Sequence, residues 1–202
     1  EWGQFLVARG VVDRGRYEAQ NRQYYEQYAA GTLDIHEYLG FALRPLAEHS
    51  PQDLARWHTE FMSSRIEPMI SAAARDLVRR HLAAGDLCAI ITATNSFVTS
   101  PIAREFGVAH LIATEPESRG GRFTGRVAGT PCFRQGKVQR LTEWLAGLGK
   151  RLDRFAESSF YSDSHNDLPL LERVTRPVAV DPDEKLAAEA ARRGWAVISL
   201  RR

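Results

Sequence analysis

A chain of 202 residues with 44% hydrophobic residues is long enough to bury a core without staples, and its two cysteines, Cys88 and Cys132, have neither the spacing nor the neighbouring histidines of a disulfide framework or zinc site. Lys and Arg number 27 against 25 Asp and Glu, a formal net charge of +2 with the bases scattered in small pairs such as Arg79-Arg80, which argues against a nucleic-acid-binding surface. No apolar run is long enough to span a bilayer and no signal-peptide pattern opens at Glu1, so a reducing, cytoplasmic setting without a membrane partner is expected.

Residues 2–9 suit a short helix closed by Gly10, and Asp13 is placed to cap a second that carries Tyr17, Tyr24, Tyr25 and Tyr28 on one face. Two readings of that face stay open, a packing stripe and the lining of a substrate pocket. Thr32 or Asp34 can cap a third helix reaching about Leu43, and Pro45 and Pro51 punctuate the gap after it. Ser50, with Pro51 at the first helical position, opens a fourth helix on which Leu54, Trp57, Phe61 and Met62 recur at helical spacing. The first 70 residues thus read as all helix.

Past Pro68 the pattern changes. An Ala-rich helix over 72–84 is stopped by Gly85, and Leu87-Cys88-Ala89-Ile90-Ile91 is a continuously apolar run of the kind a buried parallel strand shows. A helix over 97–106, a strand at 110–114, a hairpin turn at Arg119-Gly120-Gly121-Arg122 with 123–127 returning, and a helix over 138–148 follow. Phe160-Tyr161 suits a strand, a short helix reaches Leu171, and strand, helix and strand are expected at 178–180, 183–193 and 196–200. The alternation predicts an α/β fold: a Rossmann-like, open, mostly parallel sheet over 76–202, with an all-helical cap over 1–75.

In such sheets ligands bind beyond the carboxyl ends of the strands, and three places there carry chemistry. Thr92-Ala93-Thr94-Asn95-Ser96 offers a hydroxyl and small residues whose amides can approach phosphate oxygens; a plain N-cap at Asn95 or Ser96 explains the same residues. Lys137, after Gly136, is a cation at a helix start, electrostatically out of place unless it faces an anion or stands in solvent. Asp163 and Asp167, in Ser162-Asp163-Ser164-His165-Asn166-Asp167, converge as hard oxygen ligands suited to Mg²⁺, or form an Asx turn and N-cap; His165 reads as a surface loop residue.

Taken together, Thr92, Lys137 and the Asp163/Asp167 pair, in that order, resemble motifs two, three and four of the haloacid dehalogenase superfamily. Phe123-Thr124-Gly125-Arg126-Val127-Ala128-Gly129-Thr130-Pro131-Cys132, Gly136-Lys137-Val138, and Asn166-Asp167-Leu168-Pro169-Leu170-Leu171 resemble its phosphoserine-phosphatase-like branch, subfamily IB. The resemblance implies a Mg²⁺-dependent hydrolase of a small phosphate monoester working through a phospho-aspartyl intermediate. It implies that Thr92 and the Ala93 amide bind the phosphoryl group and that Lys137 neutralises it. Asp163 would ligate Mg²⁺, and Asp167, with Asn166 nearby, would hold the metal through water or orient Lys137.

The family's Asp-x-Asp strand has no counterpart in the chain. Asp181-Pro182-Asp183 follows the metal motif and reads as a turn and cap, and Asp34-Ile35-His36 has no strand before it. The absent strand would be the centre of the sheet, so roughly 15 to 25 native residues are expected to precede Glu1. An intact mass of 22.7 kDa for the native protein would overturn that expectation. Gly40-Phe41-Ala42 stands where phosphoserine phosphatases carry an arginine for the substrate carboxylate, so histidinol phosphate is as good a candidate as phosphoserine. The alternatives are a catalytically silent phosphate-binding module or a phosphotransferase of the same fold, and the chain is expected as a monomer or homodimer.

Overall fold

The structure, a computed structural model, describes residues 1–201 and opens with four helices: α1 Trp2–Ala8, α2 Arg14–Ala30, α3 Ile35–Glu48 and α4 Pro51–Phe61. Asp13, Asp34 and Ser50 cap the last three by accepting first-turn amides at 2.8, 2.8 and 3.1 Å. α3 runs through Pro45 to Glu48 instead of stopping near Leu43. An interior proline costs about 3 kcal/mol, and burial of Leu46 beyond it, at 1% exposure, offsets a loss of that order. The helices enclose an apolar cluster around Trp2, Phe5, Leu43, Trp57 and Phe61 that also takes in Val98.

α2 contributes nothing to that cluster, for none of its residues is buried. Its tyrosine face divides along its length. Tyr17 stacks on Phe41 with ring centroids 5.2 Å apart and Tyr24 meets Tyr38 at 5.6 Å, both within the helical layer, whereas Tyr28 points away toward Phe133 and His165. Tyr25, expected on the same face, is 69% exposed and lies off it.

After a π-helical segment at Met62–Ile66 and a 3-10 turn at Glu67–Met69 comes α5 Ala72–Ala83, then β1 Ala89–Asn95, α6 Ser96–Glu105, β2 His110–Arg119, β3 Arg122–Ala128 and α7 Gln135–Gly147. The chain continues with β4 Ser159–Ser162, α8 Leu168–Leu171, β5 Arg176–Val180, α9 Glu184–Arg193 and β6 Ala196–Ile198. β1 starts later than the apolar run suggested, leaving Leu87 exposed, and continues through the stretch expected to be a loop.

β1 pairs parallel with β2, Ile91 opposite Ile112, and β2 pairs antiparallel with β3. Gly120 and Gly121 join that hairpin with φ of 57° and 77°, the left-handed pair that a tight two-residue turn requires. β3 reaches the helical layer, where Phe123 and Val127 pack on its core. β4, β5 and β6 form a second, wholly parallel sheet with Tyr161 opposite Val178 and Ala179 opposite Val197.

The open sheet is therefore present as two three-stranded sheets. β1 and β4 each pair on one side only, and a cavity of about 520 Å³ lies against Ile90, Ile91, Leu145, Phe160, Tyr161 and Leu170. α7 packs on β1, β2 and α8, so it spans the seam. Among the described residues no helix is long and apolar enough to cross a membrane.

Candidate active site

The site is built where β1 and β4 end beside the start of α7. Ser162 closes β4, and the chain then folds through one tight turn, His165–Asp167, in which the Asn166 amide donates to Ser164 Oγ at 3.2 Å. This turns the Asp167 carboxylate inward. Its oxygens stand 2.6 and 2.7 Å from Lys137 Nζ, and the Ser162 hydroxyl donates to one of them at 2.7 Å. Only 8% of the Lys137 side chain and 9% of the Asp167 side chain are exposed, so a solvated lysine is excluded. A buried pair of this kind survives only when its charges are answered and its remaining lone pairs bonded, and Ser162 supplies the extra bond.

Asp163 is placed differently. It is exposed, and its carboxylate makes no hydrogen bond or ion pair among the described residues. Its backbone carbonyl accepts the Asp183 amide at 2.8 Å. Asp183 caps α9 through the Leu186 amide, as the sequence suggested, and also accepts the His165 amide at 2.8 Å and the His165 Nδ1 proton at 2.9 Å. Burial pushes the Asp183 carboxyl up, but these bonds outweigh it and hold the group below the usual carboxylate range. His165 is not a surface residue: 14% of its side chain is exposed, because Asp183 draws the ring in.

On the other side of the seam, the β1–β2 ladder lapses between Ile91 and Asn95, which pair with Ile112 and Thr114. Thr92-Ala93-Thr94 forms the irregular stretch, with Thr92 Oγ1 accepting the Thr94 amide at 3.1 Å, and Asn95 caps α6 through Val98 at 3.1 Å. An irregularity of this type re-aims backbone amides at a strand end. Cys132 packs on this same sheet, its amide donating to Thr114 Oγ1 at 3.0 Å. Its sulfur lies 3.5 Å from the Ile112 carbonyl and against the Thr92 amide; burial pushes the thiol up to about 11, with Lys137 and Arg140 pulling it back.

Asn166, 3% exposed, sits between Lys137's partner and the helical layer, and its Oδ1 accepts from Arg134 Nε at 2.8 Å. Tyr28 Oη is 2.5 Å from Ser164 Oγ. Burial pushes the Tyr28 phenol up, hydrogen bonds to Ser164 and Asn166 oppose the shift, and the charges of Asp167 and Asp163 add to it. Ser162, Ser164, Arg134 and Tyr28 were not singled out as site residues in the sequence; only the tyrosine face of α2 gave a signal for any of them.

Among the described residues, no group of three or more His, Cys, Asp and Glu is placed to hold a metal. The exposed, unpartnered Asp163 carboxylate fits Mg²⁺, which keeps several waters and takes few protein ligands, and does not make a four-coordinate zinc site. Asp167 is less free than Asp163, since Lys137 and Ser162 occupy its oxygens.

The four N-terminal helices and the α/β elements thus carry a buried Lys137–Asp167 pair and an exposed acid, Asp163, directly after β4. The sequence profile of the haloacid dehalogenase-like hydrolases matches residues 1–172. A histidinol-phosphatase of Neisseria meningitidis serogroup C (strain 8013) is 45% identical over 201 residues, covering 99% of this chain and 90% of that protein. The crystal structure of a protein with unknown function from Bordetella pertussis Tohama I superposes with a TM-score of 0.93 at 56% identity, over 98% of this chain and 90% of that one. A substrate-bound phosphoserine phosphatase shares the fold, with a TM-score of 0.67 at 14% identity over 100% of this chain and 85% of its own. The chain belongs to the haloacid dehalogenase-like hydrolase family, and its relatives place it among that family's phosphatases.

Proposed function

We propose that the chain hydrolyses a small phosphate monoester in the seam between its two sheets, and the buried Lys137–Asp167 pair beside the unpartnered Asp163 is the observation that carries this reading. Thr92 Oγ1 and the Ala93 amide bind the phosphoryl oxygens from one side and Lys137 neutralises them from the other. Asp167 fixes the lysine's position, and Asn166 adds a donor next to it. Asp163 would hold Mg²⁺, which would supply further charge neutralisation at the phosphate. Phosphoryl transfer asks the protein for positioning and electrostatic stabilisation, and these side chains provide both in a site partly closed to water.

The nucleophile in this reading is an aspartate at the end of a strand seated between β1 and β4, giving a phospho-aspartyl intermediate. The unpaired edges of β1 and β4 and the apolar cavity between them support it. Residues 1–75 act as the cap over the substrate and 76–201 as the α/β core.

Histidinol phosphate is the favoured substrate. The relative named for it aligns over nearly the whole chain. Phe41, at the position considered for a carboxylate-binding arginine, is packed among Tyr17, Tyr24 and Tyr38 and offers no cation to a substrate carboxylate.

Phosphate release from histidinol phosphate, phosphoserine and p-nitrophenyl phosphate by the native protein tests this reading. Turnover is expected with Mg²⁺, to be lost with chelator, and to fall on the order of 1000-fold in Asp163→Ala. No turnover of any ester by the native protein with Mg²⁺ present would sink the enzyme reading.

A further inference from the structure

Arg134 occupies a backbone conformation in which an arginine is out of place. Its φ is 48° and its ψ −119°, and among the described residues only Asp181 shares a positive φ without being glycine. Glycine enters this region without steric cost, whereas a side chain there is strained and persists only where its surroundings hold it. The contacts of the side chain show what holds it. Nε donates to Asn166 Oδ1 at 2.8 Å, Nη2 donates to the Gly31 carbonyl at 2.6 Å, and the guanidinium lies 5.0 Å from the Phe133 ring centroid.

Gly31 ends α2 in a left-handed conformation, φ 83°, and a Cβ there would come within 3.2 Å of Arg134 Nη2. The last carbonyls of a helix lack partners within it and carry its negative end. In α2 the core supplies them: Arg134 takes Gly31, Lys185 Nζ takes Ala29 at 2.5 Å, and Asn166 Nδ2 approaches Tyr28 at 3.4 Å. Because α2 buries no side chain, these polar contacts and the Tyr28–Ser164 bond are its main hold on the core. They all fall at or beside the turn that carries Asp163, Asn166 and Asp167.

We propose that Arg134 is a positioning residue for phosphoryl transfer, tying the end of α2 to Asn166 so that closing the helical layer over the substrate and orienting Asn166 become one event. The inference rests on the phosphatase reading for its kinetic consequence and on geometry alone for the tie itself.

Arg134→Gly separates this role from a merely structural one. Glycine relaxes the backbone, so the variant melts at the same or a higher temperature than the parent. With the tie gone, amide exchange at residues 28–32 accelerates, and kcat for histidinol phosphate falls on the order of 100-fold with a smaller change in KM. Arg134→Lys, a point charge that cannot span both acceptors, follows it in exchange and turnover without the gain in melting temperature. Unchanged exchange at 28–32 overturns the proposal, as does a loss of turnover matched by a lower melting temperature in Arg134→Gly. If the parent releases no phosphate, the phosphatase reading fails, and the exchange rates alone then decide for or against the tie.

Discussion

Lys137→Ala is expected to destabilise the fold by about 3–5 kcal/mol and to abolish phosphate release. The stability loss comes from the partner left behind. Asp167 is buried, and only the Ser162 hydroxyl would remain to answer a full negative charge. The catalytic loss is separate, because in the proposed site Lys137 is the side-chain cation that meets the phosphate. Lys137→Met combined with Asp167→Asn tests the division: it removes both charges, keeps similar volume, and is expected to recover most of the stability in urea denaturation while remaining inactive. A single variant that loses less than about 1 kcal/mol would mean that the pair is open to water and worth no more than a surface contact.

Gly136→Ala is expected to cost on the order of 100-fold in turnover and about 1–3 kcal/mol in stability. A Cβ at Gly136 would lie 2.1 Å from the Pro131 carbonyl oxygen and 3.3 Å from its carbon. A backbone oxygen on a proline cannot rotate aside as a flexible side chain can. The segment from Thr130 to Gly136 has to shift, and Lys137, the next residue, shifts with it. Gly147→Ala is the control within α7, since a Cβ there meets nothing within 4 Å; it is expected to be neutral or slightly stabilising, consistent with alanine's higher helix propensity. Equal effects at Gly136 and Gly147 in thermal melts and kcat would refute the steric account.

Local chemistry made much of the fold legible. Asp13, Ser50 and Asp183 cap the helices for which they were marked, Gly10 and Gly85 follow theirs in left-handed conformations, and the Gly120-Gly121 turn closes its hairpin. α3 passed its proline because burial of Leu46 is decided by distant neighbours, and a residue pattern does not contain them. The split of the sheet falls where the sequence left a central strand unaccounted for, between β1 and β4.

Within the site, Lys137 was legible as a cation at a helix start, and the structure pairs it with Asp167. Asp163 directly follows β4, as the strand reading had it, whereas Thr92, read as a strand tip, falls within β1 where its ladder lapses. The Tyr28–Ser164 and Arg134–Gly31 contacts were not, because they join residues 136 and 103 positions apart that carry no shared local signal. Cys132 looked unremarkable for a similar reason: its closeness to Thr92 and Lys137 is a matter of packing.

The two sheets also set an order of assembly. Each is made from one continuous stretch, 89–128 and 159–198, so each can form from contacts close in sequence and early in folding. α7, encoded between them, packs on β1 and β2 of the first stretch and on α8 of the second. Lys137 lies on that helix and Asp167 on the second stretch, so their pair forms only when the halves meet. A half-assembled chain would hold native-like sheets but no Lys137–Asp167 pair, a species prone to associate with its own kind, and aggregation on refolding would track the speed of that final docking step.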